Sequence, residues 1–218
     1  MLNKKWKYGK VTVVGAGAVG STFAYALAQS GETSEIAIVD QNNDLAQGQV
    51  LDLAHGYPFY PSVSIHVGDK SDYADSQVIV ITAGASQKPG ETRLDLLQKN
   101  SKIMESIVDD ILEQNSDAVL LVVTNPVDVL TQVALKRSGF DRTRVIGSGT
   151  VLDTSRFRYL LSEHCGLDVR NVHAYILGEH GDSEVAPWSM VHLAGMPIDD
   201  YCATCKNCGN FEEERKQI

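Results

Sequence analysis

A run of β-branched residues that breaks into three spaced glycines and resumes as an alanine-rich stretch limits this chain to few folds. Val11, Val13 and Val14 lead into Gly15-Ala16-Gly17-Ala18-Val19-Gly20, which has the spacing G-x-G-x-x-G. Residues 21–29 (STFAYALAQ) read as a helix, and residues 36–39 as a second buried strand closed by Asp40. In such a β-α-β unit the first glycine makes a tight turn and the second lets backbone approach a pyrophosphate. The third lets the helix pack closely on the sheet. The helix start also offers unpaired N–H groups and the positive end of its dipole to phosphates. Gly15, Gly17 and Gly20 are therefore expected to bind a dinucleotide; the bland alternative is a unit whose glycines serve packing alone. Asp40 stands about twenty residues beyond Gly20, where a carboxylate accepts from ribose hydroxyls and repels a 2′-phosphate. Gln41 and Asn42 follow with no arginine, so NAD is expected rather than NADP.

The same alternation runs on through the chain. Apolar strands are expected at 63–67, 78–83, 118–123 and 144–146. Helices are expected at 44–53, at 94–113 (Leu97, Ile103, Ile107, Ile111) and after Pro126, a residue suited to a first helical turn. Continuous apolar strands alternating with helices make an α/β fold, a doubly wound parallel sheet covered on both faces. From Gly147 the texture changes to a helix over 152–164 and then mixed short strands and turns. Domains of 1–147 and 148–218 are expected, the second of α+β character. The net charge of −9 argues against nucleic acid or an anionic membrane as partner. No apolar run reaches membrane-spanning length, and residues 1–10 lack the apolar core of a signal peptide. A cytoplasmic location follows, with Cys165, Cys202, Cys205 and Cys208 as reduced thiols.

Ligands of open α/β sheets sit at the carboxyl ends of the strands, and polar clusters fall there. Residues 84–93 (GASQKPGETR) read either as a mobile lid ending in Arg93 or as a solvated connection. Asn125, in Thr124-Asn125-Pro126, is either a ligand contact or a helix cap. Asp153 and Arg156 share one helical face, as a site or as a plain surface ion pair, while Arg158 points roughly 200° away from Arg156. His180 lies in Gly178-Glu179-His180-Gly181-Asp182, a glycine-flanked polar turn suited to acid–base work.

Together GAGAVG, ITAGASQKPGETRLDLL, TNPVDVL, RVIGSGTVLDTSRFR and NVHAYILGEHGDSEV resemble the L-lactate dehydrogenase family, its bacterial members in particular. The resemblance runs from about residue 8 to the last residue. It implies a Rossmann domain that binds NAD, followed by part of a substrate domain. It implies that His180 gives its proton to the pyruvate carbonyl as hydride arrives, with Asp153 orienting His180 and stabilising its protonated form. Arg93 would polarise the carbonyl, Asn125 would hydrogen-bond the reacting oxygen, and Arg156 would fork onto the substrate carboxylate. Val19, Ala83, Gly84, Val123 and Ser106 are the further cofactor contacts it implies. Hydride reduction builds negative charge on oxygen, so a cation and a proton donor converging on that atom make physical sense.

Malate dehydrogenases, the runner-up reading, carry arginine where this chain has Gln87. A neutral Gln87 leaves the second carboxylate of oxaloacetate without a partner. Arg158 and His173 match the pair that binds fructose 1,6-bisphosphate across a subunit interface in bacterial members, which implies a homo-oligomer, a tetramer at full length. The bland alternative there is an interface ion pair. Cys202, Cys205 and Cys208 have C-x2-C-x2-C spacing, but the fourth ligand of a metal run is missing, so thiols and no metal are expected. Family members are longer than this chain, which stops in a charged stretch (FEEERKQI) that reads as helical. The substrate domain is therefore expected to be incomplete, and an inactive NAD-binding fragment is the alternative to an enzyme of glycolysis and pyruvate fermentation.

Overall fold

The computed structural model describes residues 9–87 and 90–205, and the chain divides into two compact units between Gly147 and Ser148. In the first unit β1 (Lys10–Val14), α1 (Ala18–Ser30), β2 (Glu35–Val39), α2 (Asn43–Ala54) and β3 (Ser64–Val67) are followed by β4 (Ser76–Ile81). Then come α3 (Arg93–Glu113), β5 (Val119–Val122), α4 (Val127–Ser138) and β6 (Val145–Gly147). Among the described residues the six strands form one parallel sheet in the order β3-β2-β1-β4-β5-β6. The strand order reverses beside β1, which is where a doubly wound sheet opens a crevice for ligands. The α/β, doubly wound expectation is borne out.

Both faces of the sheet are covered, because successive strand residues point to opposite sides. Val13 packs with Ala24 and Ala28 of α1, Ile36 and Ile38 of β2, and Val50 of α2. Its neighbour Val14 packs instead with Ile79 and Ile81 of β4, Met104 and Val108 of α3, and Leu130 of α4. Two apolar clusters thus share one strand, which accounts for its unbroken run of valines.

Two local expectations need correction. Strand β4 starts at Ser76, two residues before the apolar run, because the buried Ser76 hydroxyl shares a 2.6 Å hydrogen bond with Thr12 of β1. A paired hydroxyl sits in a core as well as a methyl group does, and apolarity alone does not reveal it. Pro126 is not in the first turn of α4 but caps it, after a cis Asn125–Pro126 bond, and the helix begins at Val127.

The second unit holds α5 (Val151–Cys165), β7 (Val172–His173), β8 (His192–Leu193), β9 (Met196–Pro197) and α6 (Ile198–Thr204). Strands β7, β8 and β9 make an antiparallel sheet, and Ala194 and Gly195, both at positive φ, turn the β8–β9 hairpin. Its core joins Phe157, Leu161 and Cys165 of α5 to Val172, Ala174, Val191, Leu193 and Ile198, with Trp188 edge-on to Phe157 at 5.1 Å. Cys165, Cys202 and Cys205 carry thiols, while Cys208 and the FEEERKQI stretch lie outside the described residues.

Lys10, at the foot of β1, is buried, and its ammonium is held by Asp72 at 2.9 Å, by Glu35 at 3.7 Å and by Asp75. Burial of Asp72 opposes its ionisation, but Lys10, the Asp69 N–H and His66 together hold its carboxyl below the usual carboxylate range. A depressed carboxyl stabilises the fold above the ordinary range, about pH 4, and that stability is lost as pH falls through the folded value. Asp72→Asn is therefore expected to cost about 1–3 kcal/mol at neutral pH. The gap to the parent protein, read by urea unfolding, should narrow as the pH is lowered below about 4.

Candidate functional site

Within the first unit the glycine loop is built by contacts a side chain would destroy. Gly15 has φ +110°, and a Cβ there would come within 2.7 Å of the Ala83 nitrogen. A Cβ on Gly20 would lie 1.9 Å from the Gly15 carbonyl oxygen, so α1 can approach β1 only through glycine. Gly17 differs from both: its φ is −70°, and a Cβ there would meet nothing within 4 Å. The loop is therefore open at Gly17, and no side chain caps the start of α1, leaving that helix end to an anion. That fit is what a pyrophosphate needs.

The loop is tied down by its neighbours. Gly15 N–H donates to Val39 O at 2.8 Å, and the Thr82 hydroxyl lies 3.1 Å from both the Val14 and Gly15 carbonyls. Asp40 accepts from Ala16 N–H at 2.7 Å through one oxygen and from Asn42 N–H at 2.8 Å through the other. Its carboxylate is thus oriented at the loop, and each oxygen keeps further lone pairs for hydroxyl donors. Gln41 and Asn42 add no cation there.

Beside the loop lies a pocket of about 240 Å³ at the carboxyl ends of β4 and β5. Its walls include Val19, Gly84, Gln87, Val123 and Asn125, five positions expected from the sequence. Ala83 sits behind it, donating to Val14 O at 2.8 Å, whereas Ser106 is an exposed residue of α3 away from its walls. Gln87 is exposed and donates to Glu91 O at 2.8 Å. Arg93 is the exposed first residue of α3, just after a Thr92–Asp95 capping box. Lys88 and Pro89 lie outside the described residues. Asn125 accepts from Val127 N–H at 3.3 Å while its own side chain is exposed, so it supports the α4 start and faces solvent as well.

The second unit joins residues far apart in sequence. Asp153, in the first turn of α5 and 7% exposed, accepts from His180 Nδ1 at 2.5 Å. Its other oxygen accepts from Arg156 Nη1 at 3.1 Å. A carboxylate on Nδ1 fixes the tautomer with that nitrogen protonated, which makes Nε2 the nitrogen that trades a proton with a ligand. Gly178 and Gly181 flank His180 at φ +103° and +146°, backbone only glycine adopts without strain. Arg158 leaves α5 elsewhere, its Nη2 lying 3.5 Å from Val169 O, and its buried Nε has no acceptor among the described residues. His173 is exposed on β7.

Sequence reading missed two residues. Asn100 is buried at 3% exposure, and its amide lines the pocket. A polar residue on the stripe formed by Met104, Val108 and Ile111 is the signal that marks it. Thr124, also buried, donates to Ala83 O at 2.8 Å and is the side chain a Cβ on Gly84 would strike.

Comparison with known proteins gives this constellation a context. Residues 9–147 match the family model described as lactate/malate dehydrogenase, NAD binding domain. Residues 150–218 match the lactate/malate dehydrogenase alpha/beta C-terminal domain. An L-lactate dehydrogenase of Treponema denticola is 61% identical over 211 residues, covering 96% of this chain and 67% of that protein. One from Acetivibrio thermocellus is 59% identical, covering 91% of this chain and 63% of that protein. Among solved structures, a lactate dehydrogenase from a deep-sea metagenome library superposes with TM-score 0.91 at 45% identity, over 96% of this chain and 67% of that one. The ligand-bound minor L-lactate dehydrogenase of Enterococcus mundtii also gives 0.91, at 40% identity and the same coverage. The chain thus spans about two thirds of the length of the relatives it matches.

The glycines separate binding from folding. Gly17→Ala should weaken NADH binding at least about tenfold, about 1.4 kcal/mol, with little change in Tm. Gly20→Ala should instead cost about 1–3 kcal/mol of stability through overpacking. NADH fluorescence titration and thermal unfolding of both variants check the contrast.

Proposed function

Because the chain belongs to the lactate/malate dehydrogenase family, we propose that it catalyses the NAD-dependent interconversion of pyruvate and L-lactate. The observation that carries this reading is Asp153, buried and bonded through one oxygen to His180 and through the other to Arg156.

Gly15, Gly17, Gly20 and Asp40 would hold NAD, which when bound would supply the hydride donor or acceptor for the substrate carbon. His180 gives its Nε2 proton to the ketone oxygen in reduction and takes it back in oxidation. Asp153 holds the imidazole in place and stabilises the positive charge it carries before that transfer. Arg93 and Asn125 stabilise the negative charge that grows on the oxygen. Arg156 binds the substrate carboxylate, for which a planar guanidinium supplies two parallel donors. Gln87 faces the remainder of the keto acid, and its neutral amide favours a methyl group over the second carboxylate of oxaloacetate.

Arg158 and His173 are the proposed contacts for fructose 1,6-bisphosphate, and the buried Arg158 Nε–H supports an anion there. The effector is proposed to act on a homo-oligomer, a tetramer, working in the cytoplasm. No described helix is long and apolar enough to cross a membrane.

Oxidation of NADH that depends on added pyruvate tests the reaction; a protein that binds NADH and never turns it over would be the non-catalytic NAD-binding alternative. Gln87→Arg is expected to raise kcat/KM for oxaloacetate relative to pyruvate by at least about 100-fold, near 3 kcal/mol of selectivity. An unchanged ratio would refute the role of Gln87. Bisphosphate added across a range of enzyme concentrations should raise activity in the parent and not in Arg158→Gln.

A further inference from the structure

The Asn100 side chain bridges the two loops on which the pocket-lining residues sit, further out than the Thr124 hydroxyl that joins them at Ala83 O. It comes from the third turn of α3 and is 3% exposed, on a stripe otherwise made of Met104, Val108 and Ile111. Its Oδ1 accepts from Ala85 N–H at 2.8 Å, and its Nδ2 donates to Ala85 O at 3.4 Å and to Asn125 O at 3.1 Å. Ala85 lies on the loop after β4, two residues before Gln87, and Asn125 lies on the loop after β5. Beyond Ile81 and Val122 the ladder between these strands has ended; Val123 and Thr124 N–H reach Ile81 O, and the Thr124 hydroxyl reaches Ala83 O at 2.8 Å. The Asn100 amide pairs with residue 85 as a strand neighbour would, donor to acceptor and acceptor to donor, and adds the rung to Asn125.

We propose that Asn100 is a positioning residue that sets the spacing between Gln87, which discriminates the substrate, and Asn125, which holds the reacting oxygen. That role presupposes the keto-acid reaction proposed above. An amide is the side chain suited to the task, since it needs a donor and an acceptor at once. Leucine would fill the space and leave the Ala85 N–H without its partner. Aspartate has nearly the same shape, but an ionised carboxylate cannot donate to Ala85 O or Asn125 O and sets oxygen against oxygen at both. Small displacements of groups that hold a reacting atom cost rate steeply, whereas the glycine loop and Asp40 are held by other bonds.

Asn100→Asp and Asn100→Leu are compared with the parent protein for kcat and KM with pyruvate and oxaloacetate, NADH affinity by fluorescence titration, thermal unfolding, and Ala85 amide exchange. Both variants are expected to lose about 10- to 100-fold in pyruvate kcat and to show a narrower preference for pyruvate over oxaloacetate. NADH affinity should stay within about threefold, a change of under 1 kcal/mol. Ala85 amide exchange should accelerate in Asn100→Leu. In Asn100→Asp the lost pyruvate rate should recover relative to the parent as pH is lowered, since a protonated carboxyl donates again. A parent protein inactive on pyruvate would overturn the reaction and this role together. An active parent whose variants lose thermal stability but keep kcat and the pyruvate preference would overturn the role alone, as would unchanged Ala85 exchange.

Discussion

Everything in the first unit follows from how closely α1 is allowed to approach the end of β1. The Gly15 carbonyl stands where a Cβ on Gly20 would be, and the Ala83 backbone stands where a Cβ on Gly15 would be. With both positions empty, the helix closes onto the sheet and its uncapped N-terminus points at the same edge as Asp40 and the β4 and β5 loops. A helix held further off would bring neither its dipole nor its N–H groups to a pyrophosphate. Packing and ligand binding are here a single constraint, with Gly17 the glycine whose only demand is room.

The second unit depends on a different economy of groups. Asp153 is a buried carboxylate, and burying one is costly unless its oxygens are satisfied. Here one oxygen meets an imidazole and the other a guanidinium, so burial and the proton transfer proposed for His180 place the same demand. The positive φ of Gly178 and Gly181 lets the chain deliver His180 to α5 without regular secondary structure around it. A residue with a β-carbon at either position would be forced into a conformation strained for it.

Much of this was legible in the sequence where residue type and spacing carry the physics. The valines of β1, the three glycines and Asp40 announced the parallel sheet and its ligand edge, and GEHGD in a glycine-flanked turn announced His180. Its pairing with Asp153 rested on family resemblance, since 27 positions of separation leave no local signal. What apolarity concealed were polar residues with satisfied partners inside the core. Ser76 starts β4 because Thr12 answers it, and Asn100 takes a core position because three backbone groups answer it. A side chain whose partners are backbone atoms far along the chain looks misplaced until those atoms are located. Pro126 departs from its expected place for a related reason: the residue type suits a first turn, and nothing in the local sequence marks the cis bond ahead of it.

The central claim is that His180 carries the proton that the carbonyl oxygen gains or loses. The most direct measurement is the pH dependence of kcat/KM in both directions, pyruvate with NADH and lactate with NAD. Reduction needs the imidazole loaded and oxidation needs it empty, so the two profiles should be mirror images about one common inflection. Profiles that run in the same direction, or that turn at unrelated pH values, would contradict it.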